Sequence, residues 1–404
     1  MKPLLPVADA QARLLDAATP VADVDMVSLD LADQRVLAQD LHARLTQPPF
    51  HSSAMDGYAL RAADAPQIGS VLTVIGESAA GHAFEGRVAE GQAVRIFTGA
   101  PVPEGADAVI IQEDTEVLEA GQIRTTFQVT KGRHIRPRGQ DFVEGETVLK
   151  AGTELTFTDI TLAAAMNHAA LPVYRKPLVA ILATGDELVP PGGAPNPAQI
   201  IASNTFGVAA LARKTGATVL DLGIVVDDEA LIRAAIDKAI VAKADVLVTL
   251  GGASVGDHDL VQAALKAQGM ELDFWRIAMR PGKPLMVGSI GNMQVLGLPG
   301  NPVASLVCSL LFLEPLLHKL SHRKPTSRET TALTATTLKA NDQRQDYLRA
   351  RITGEEDGKP TVEAFTKQDS SMMNIMAQSD CLIVRAPFAH QLEVGGECVV
   401  VRLR

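Results

Sequence analysis

The sequence predicts a multidomain protein of the α/β plus β class, with a doubly wound α/β/α domain in the middle of the chain. The length of 404 residues exceeds what one hydrophobic core usually holds. Short apolar runs between Gly and Pro fill residues 45–139, which is typical of a small all-β insert. Between residues 176 and 323, apolar runs alternate with helical patterns, as β-α units of a mostly parallel sheet do.

Helical patterns flank the all-β segment, at Val7–Ala18 and Thr158–His168, where Thr158 and Asp159 are a plausible helix start. Glu229–Lys243 places apolar residues on one helix face, and strand-like runs return after the polar linker Ser321–Arg328. Four domains are therefore predicted. Their bounds are 1–44 with 140–175 for a discontinuous mixed α/β linking domain, 45–139 for a small β domain, 176–323 for the α/β domain and 324–404 for a C-terminal β domain.

Composition excludes several classes of protein. Hydrophobic residues make up 47% and charged residues 21%, as in ordinary soluble proteins. A net charge of −10 argues against nucleic acid or anionic lipid as a partner. The three cysteines are scattered and the chain start lacks a signal-peptide pattern, so a cytoplasmic protein is expected. The longest apolar run, Ala304–Leu313, meets Glu314-Pro315 at about half the length of a membrane span.

The segment Thr249–Asp259, TLGGASVGDHD, is the most informative of the chain. It lies between the apolar run Val246–Val248 and the helical pattern from Leu260, which predicts a strand, a Gly-rich turn and a helix start. Such a turn brings backbone N–H groups close to an anionic ligand. Asp257 and Asp259 on the turn suit a divalent cation or proton transfer, although Asp near a helix start is often only a cap.

Two further pairs of carboxylates follow predicted strands. Asp186 and Glu187 come after Leu178–Leu182, and Asp227 and Asp228 come after Thr218–Val226. Ligands of doubly wound sheets bind beyond the C-terminal strand ends. A site for a polyphosphate and a metal is therefore predicted there, and an exposed acidic rim is the alternative.

Cations and rigid turns follow in the same domain. Arg276, Arg280 and Lys283 surround Pro281-Gly282 and suit a phosphate-like oxyanion, while a solvated basic loop is the alternative. Gly297–Pro302, GLPGNP, predicts a rigid turn that opens a helix over Val303–Leu313.

Seven motifs occur in order along most of the chain. They are MDGYA at Met55, FTGAPVP at Phe97, RGQD at Arg138, LATGDEL at Leu182, GGASVGDHD at Gly251, RPGKP at Arg280 and GLPGNPV at Gly297. Together they resemble the molybdopterin molybdenumtransferase family of molybdenum cofactor biosynthesis. The resemblance implies an elongated four-domain homodimer with its active site between subunits, and contacts with other proteins of the pathway. It implies insertion of molybdenum from molybdate into adenylylated molybdopterin, with AMP release and Mg²⁺ present.

The resemblance also assigns roles by position. The catalytic positions are Asp56, Thr98, Asp141, Glu187, Asp227, Asp257, Asp259, Arg280 and Lys283, of which the first three are expected to reach the partner subunit's site. The positions that bind molybdopterin or an oxyanion are Gly251, Gly252, Ser254, Gly256, Arg276, Pro299, Gly300, Asn301, Pro302, Arg349, Ser370 and Ser371. The Mg²⁺ positions are Asp186, Asp257 and Asp259. Arg280 stands where many relatives carry lysine.

Two alternatives stay open from the sequence. A molybdopterin adenylyltransferase resembles only the α/β domain, and the roughly 180 residues before that domain argue against it. A non-catalytic scaffold of the same fold would tolerate loss of the charged residues, yet Asp257, Asp259 and Lys283 are all present.

Overall fold

The computed structural model describes residues 4–251, 260–325 and 327–403. The chain divides into two compact units. We call Met1–Asp25, Gln34–Val36 and Tyr174–Arg404 the α/β unit, and Met26–Asp33 with Leu37–Val173 the β unit. This division does not test the four predicted domain bounds, which stay predictions.

The first part of the chain is rich in short strands, as predicted. In chain order its elements are α1 (Val7–Ala17), β1 (Val24–Ser28), β2 (Leu41–His42), β3 (Ser52–Ser53), β4 (Gly57–Leu60), β5 (Val71–Ser78), β6 (Gln92–Ile96), β7 (Ala108–Ile111), β8 (Thr115–Val117), β9 (Gln122–Thr125), β10 (Ile135–Arg136), β11 (Thr147–Leu149), α2 (Phe157–Ala165) and β12 (Ala170–Tyr174). A six-stranded sheet of order β7-β4-β6-β5-β9-β8 is the main element of the β unit. All four residues of β4 are buried, because the strand lies between two neighbours.

The predicted start of α2 is wrong by one residue. The helix begins at Phe157, and its N-cap is Thr156 rather than Thr158. The Thr156 backbone N–H donates to the carboxylate of Asp159 at 2.9 Å, which satisfies a donor at the helix start.

The predicted doubly wound sheet is confirmed in the α/β unit. Its six strands have the order β16-β13-β17-β21-β20-β18, and only β20 runs against its neighbours. Helices α1, α3, α6 and α7 cover one face, and α4 and α5 cover the other. The elements are β13 (Leu178–Thr184), β14 (Leu188–Val189), β15 (Ile200–Ile201), α3 (Asn204–Lys214), β16 (Thr218–Val225), α4 (Glu229–Val241), β17 (Val246–Leu250), α5 (Leu260–Ala267), β18 (Glu271–Trp275), β19 (Met279–Arg280), β20 (Met286–Ile290), β21 (Met293–Leu298), α6 (Pro302–Cys308) and α7 (Glu314–Leu320).

The helix after β21 is longer than predicted. A π-helical turn, Ser309–Leu313, joins α6 to α7, so the helix does not end at Glu314. Pro315 directly follows the π-helical turn, and the altered hydrogen-bond pattern of such a turn accommodates a residue that has no N–H to donate. By length and composition Pro302–Leu320 is apolar enough to cross a membrane, but 83% of it is buried inside the fold, as in a core helix.

The C-terminal segment forms a closed barrel, which confirms the predicted β domain. Strand β23 pairs with both β24 and β25, and β22 and β26 complete the circle. Strand β19 adds to this barrel, with Arg280 opposite Asp346 on β23. The elements are β22 (Glu329–Thr334), β23 (Gln345–Glu356), β24 (Lys359–Ala364), α8 (Met373–Gln378), β25 (Cys381–Arg385) and β26 (Glu397–Arg402).

A bidentate ion pair holds the amino ends of β13 and β17 together. Arg175 donates to the two carboxylate oxygens of Asp245 at 2.9 and 3.0 Å, and Asp245 also accepts the Leu178 N–H at 2.6 Å. The side chains are 29% and 18% exposed, so solvent screens the pair only partly.

We expect Asp245→Ala to lower the free energy of unfolding of the α/β unit by about 2 kcal/mol, because it removes the bidentate acceptor of the partly buried Arg175 guanidinium and the acceptor of the Leu178 N–H. Trp275 is the single tryptophan of the chain and lies in this unit, so its fluorescence during urea unfolding measures the change. The control is Glu363→Ala, which removes the exposed pair with Arg351 and should cost no more than about 0.5 kcal/mol. Equal unfolding midpoints in the two variants would contradict the role of the Arg175 pair.

Candidate functional site

The predicted site residues of the α/β unit converge at one edge of the central sheet. Adjacent strands β16, β13, β17 and β21 are parallel, so their carboxyl ends meet there. Beyond these ends lie Asp227, Asp186 with Glu187, Gly251 and the turn Pro299–Pro302.

A cavity of about 680 Å³ opens at this edge. A volume of this size suits a small organic ligand. The predicted residues that line it are Glu187, Gly251, Pro299, Gly300, Asn301, Pro302 and Ser371, the last of which comes from the C-terminal barrel domain. The cavity therefore combines motifs that are up to 184 residues apart in the chain.

The glycine at the end of β17 is required by its surroundings. Gly251 has φ +97°, and an added Cβ would lie 2.4 Å from the carbonyl oxygen of Thr184. Gly300 differs, because its Cβ would meet only the Gly251 Cα at 4.0 Å. Its lack of a side chain instead leaves space in the cavity.

The Pro299–Pro302 turn is held from two sides. Asn204 at the start of α3 donates through Nδ2 to the Gly300 carbonyl oxygen at 2.8 Å. Asn301 is the N-cap of α6, yet its side chain does not cap the helix and donates to Ser370 Oγ at 2.9 Å. Pro302 opens the helix, as the sequence predicts.

The acidic residues at the edge do different things. The Asp227 backbone N–H donates to Asp186 Oδ1 at 3.1 Å. Partial burial of the Asp227 carboxyl raises its pKa, and the negative charges of Asp186 and Glu187 raise it further. Asp228 Oδ1 accepts the Leu231 N–H at 2.9 Å, so it acts as the helix cap of α4.

Several predicted positions lie outside the described residues, namely Gly252, Ser254, Gly256, Asp257 and Asp259. Of the predicted Mg²⁺ positions, only Asp186 is described. Within residues 4–251, 260–325 and 327–403, no group of three or more His, Cys, Asp or Glu side chains has the arrangement of a metal site.

The three predicted cations have different surroundings. Arg280 pairs with Asp342 and, at 3.2 Å, with Asp346, so two barrel carboxylates offset its charge. Arg276 has φ +122° and lies over the Trp275 ring at 5.6 Å. Lys283 is exposed, and its side chain makes no ion pair or hydrogen bond with any described residue. None of the three lines the cavity, although Pro284 does.

Arg349 is buried beneath the cavity-lining loop rather than in the cavity wall. The side chain is 1% exposed, and its guanidinium donates to Gln368 Oε1 and to the Asp369 carbonyl oxygen. Ser370 contacts Asn301, and Ser371 lines the cavity. The structure thus brings Ser370 and Ser371 to the site and keeps Arg349 behind them.

The β unit carries the other predicted residues. Thr98 donates through both its N–H and its hydroxyl to Asp56 Oδ1 at 2.7 Å, and these hydrogen bonds lower the pKa of Asp56. Asp141 lines a separate cavity of about 500 Å³, together with Gly99 and Arg136.

Sequence reasoning missed part of the cavity wall. Leu188, Ile200 and Ile201 line it on the short pair β14–β15, where the Ile200 N–H donates to the Glu187 carbonyl oxygen at 2.7 Å. The Pro- and Gly-rich segment 190–199, PPGGAPNPAQ, was the available signal for an ordered loop beside the TGDE motif. No signal in the sequence marked Gln368.

Family models match three parts of the chain. They are described as the MoeA N-terminal region, domains I and II (residues 5–167), a probable molybdopterin binding domain (180–319) and the MoeA C-terminal region, domain IV (331–403). Two crystal structures of the molybdopterin biosynthesis MoeA protein from Pyrococcus horikoshii have TM-scores of 0.86 and 0.80 to this chain. They are 28% and 27% identical to it and cover 100% and 99% of it, each over 100% of its own length.

Curated relatives are similar over most of their length. A molybdopterin molybdenumtransferase from Haemophilus influenzae is 36% identical over 94% of this chain and 94% of its own. One from Bacillus subtilis is 33% identical over 95% of this chain and 90% of its own. One from a Nostoc species is 38% identical over 74% of this chain and 70% of its own. On these matches, the chain belongs to the molybdopterin molybdenumtransferase family, whose members are transferases of molybdenum cofactor biosynthesis.

Proposed function

We propose that this protein inserts molybdenum from molybdate into adenylylated molybdopterin and releases AMP. The cavity at the carboxyl edge of the sheet carries this proposal, because Glu187, Gly251, the Pro299–Pro302 turn and Ser371 line one space large enough for a nucleotide-tagged pterin. The start of helix α6 at this wall favours an anionic group, as helix N-termini do.

We assign molybdate to Lys283 and its neighbourhood. Among the described residues no carboxylate pairs with Lys283, which leaves its charge open to an anion, whereas Arg280 is held in place by Asp342 and Asp346. Arg280 would then add to the positive potential without changing position.

We propose Mg²⁺ at Asp186, with Asp257 and Asp259, which lie outside the described residues, as its other ligands. Carboxylate oxygens are ligands that Mg²⁺ prefers. Partial burial raises the pKa of Asp227, and the negative charges of Asp186 and Glu187, which a cation at Asp186 would offset, raise it further. The bound ion would neutralise phosphate charge. Asp227 would hold and move a proton, since its raised pKa lets it retain that proton closer to neutral pH. Glu187 lines the cavity beside it and would assist.

We propose a cytoplasmic homodimer in which the β unit supplies Asp56, Thr98 and Asp141 to the partner subunit's site. Support comes from the exposed Asp56, which two hydrogen bonds from Thr98 hold in an ionised, oriented state. The three cysteines are free and buried, which suits a reducing compartment. Other proteins of molybdenum cofactor biosynthesis are the expected partners.

The direct test is an assay of the purified protein with two substrate pairs. We expect it to consume adenylylated molybdopterin with molybdate and Mg²⁺, and to release AMP. Consumption of ATP with molybdopterin would identify an adenylyltransferase instead, and no turnover of either pair would favour a scaffold.

We expect Asp227→Asn to abolish turnover and to raise the melting temperature at neutral pH. Because the pKa of Asp227 is raised in the folded protein, the stability that this group contributes is present at acidic pH and is lost as the pH rises through that pKa. The gain in melting temperature should therefore vanish in acid, where the wild-type carboxyl is protonated. The control is Asp228→Asn, since Asn caps helices as well as Asp does and should leave both quantities unchanged. A lower melting temperature for Asp227→Asn at neutral pH would contradict the proposal.

We expect Lys283→Ala to weaken molybdate binding about tenfold with an unchanged melting temperature, because the lost interaction is with a ligand and is charge-assisted. Isothermal titration with molybdate measures the affinity. The control is Lys266→Ala, an exposed lysine in the last turn of α5. Equal molybdate affinity in wild type and Lys283→Ala would exclude the assigned role.

A further inference from the structure

Arg349 carries a buried positive charge that no carboxylate contacts in the part of the chain that the structure describes. Its side chain is 1% exposed on β23 and donates through Nε to Gln368 Oε1 at 3.0 Å and through Nη1 to the Asp369 carbonyl oxygen at 2.7 Å. Arginine stays charged at all relevant pH values. These acceptors, together with the favourable charge of the Asp369 carboxylate, make its burial tolerable.

Gln368 uses every hydrogen-bonding group of its amide. Oε1 accepts both the backbone N–H and the Nε–H of Arg349 at 3.0 Å. Nε2 donates to the carbonyl oxygens of Arg349 at 3.0 Å and of Phe365 at 2.7 Å. Four hydrogen bonds on this half-buried side chain fix the backbone at residue 368 and therefore the direction in which the following residues leave it.

Those next residues lead directly to the cavity. Asp369 Oδ1 accepts the N–H and the hydroxyl of Ser371 at 2.8 and 2.5 Å. Ser370 binds the helix start after the Pro299–Pro302 turn, because its carbonyl oxygen accepts the Val303 N–H at 3.1 Å and its hydroxyl accepts from Asn301. Ser371 then lines the cavity.

We propose that Gln368 is a positioning residue of the ligand site, which together with buried Arg349 fixes residues 368–371 so that Ser371 faces the cavity. The inference deepens the proposed function, since it rests on adenylylated molybdopterin as the ligand of the cavity.

A double-mutant cycle tests the inference, with adenylylated molybdopterin as the probe and its dissociation constant as the readout. Ser371→Ala should weaken binding about fivefold, as expected for one neutral hydrogen bond. Gln368→Glu keeps the acceptor for Arg349 but loses both donors, and it should weaken binding by a similar factor. If Gln368 acts through Ser371, the double variant should be about fivefold weaker, rather than about twenty-five-fold.

Gln368→Leu removes all four hydrogen bonds and is measured in parallel, with circular dichroism and the melting temperature as checks of folding. The matched control is Gln391→Leu, which removes the exposed hydrogen bond to Glu393 in the same barrel domain and should leave binding unchanged. If the losses of affinity caused by Gln368→Glu and Ser371→Ala multiply in the double variant, the two residues act independently and the inference is overturned.

A crystal structure of ligand-free Gln368→Glu separates this inference from the proposed function. We expect Ser371 to leave the cavity wall and the 2.9 Å hydrogen bond between Asn301 and Ser370 to be lost. An unmoved loop would overturn the positioning role, whatever the protein binds. Wild-type protein that binds no adenylylated molybdopterin would overturn the proposed function alone.

Discussion

The parallel alignment of β16, β13, β17 and β21 is the constraint on which the site depends. In a parallel sheet the chain leaves each strand at the carboxyl edge and must return to the opposite edge before the next strand begins. A helix makes this return, so the loops that follow the strands lie at the carboxyl edge. Asp186 with Glu187, Asp227, Gly251 and the Pro299–Pro302 turn consequently lie at one edge, while the Arg175–Asp245 pair holds the opposite edge. The sheet thus separates the part that gives stability from the part that binds a ligand.

Much of the fold could be predicted because its signals are local. Apolar periodicity located α4 and the buried strands, and it placed Glu187, Gly251 and the Pro299–Pro302 turn at strand ends. The errors were also local in origin. The capping box at Thr156 and Asp159 begins one residue before the apolar pattern of α2, and the π-helical turn carries the last core helix past Pro315.

The rest of the site could not be predicted, because it depends on contacts between residues distant in the chain. Arg280 resembles an anion ligand in its own motif, and only the folded barrel shows that Asp342 and Asp346 pair with it. Gln368 has no motif at all, and its importance follows from four hydrogen bonds that the backbone path of β23 makes possible. A sequence motif indicates which kind of ligand a side chain could bind. Ion pairs and hydrogen bonds in the folded protein decide whether that side chain remains available to bind it.

Strand β23 links the Arg280 segment to the loop that lines the cavity. Asp346 near its start holds Arg280 through the added strand β19, and three residues later Arg349 holds the loop of Ser371. A protein truncated after Leu320 would retain the whole matched molybdopterin-binding region. It would nevertheless lose the acidic partners of Arg280, the pairing of β19 and the contribution of Ser371 to the cavity lining. The barrel therefore contributes to the proposed ligand site, which the α/β region alone does not complete.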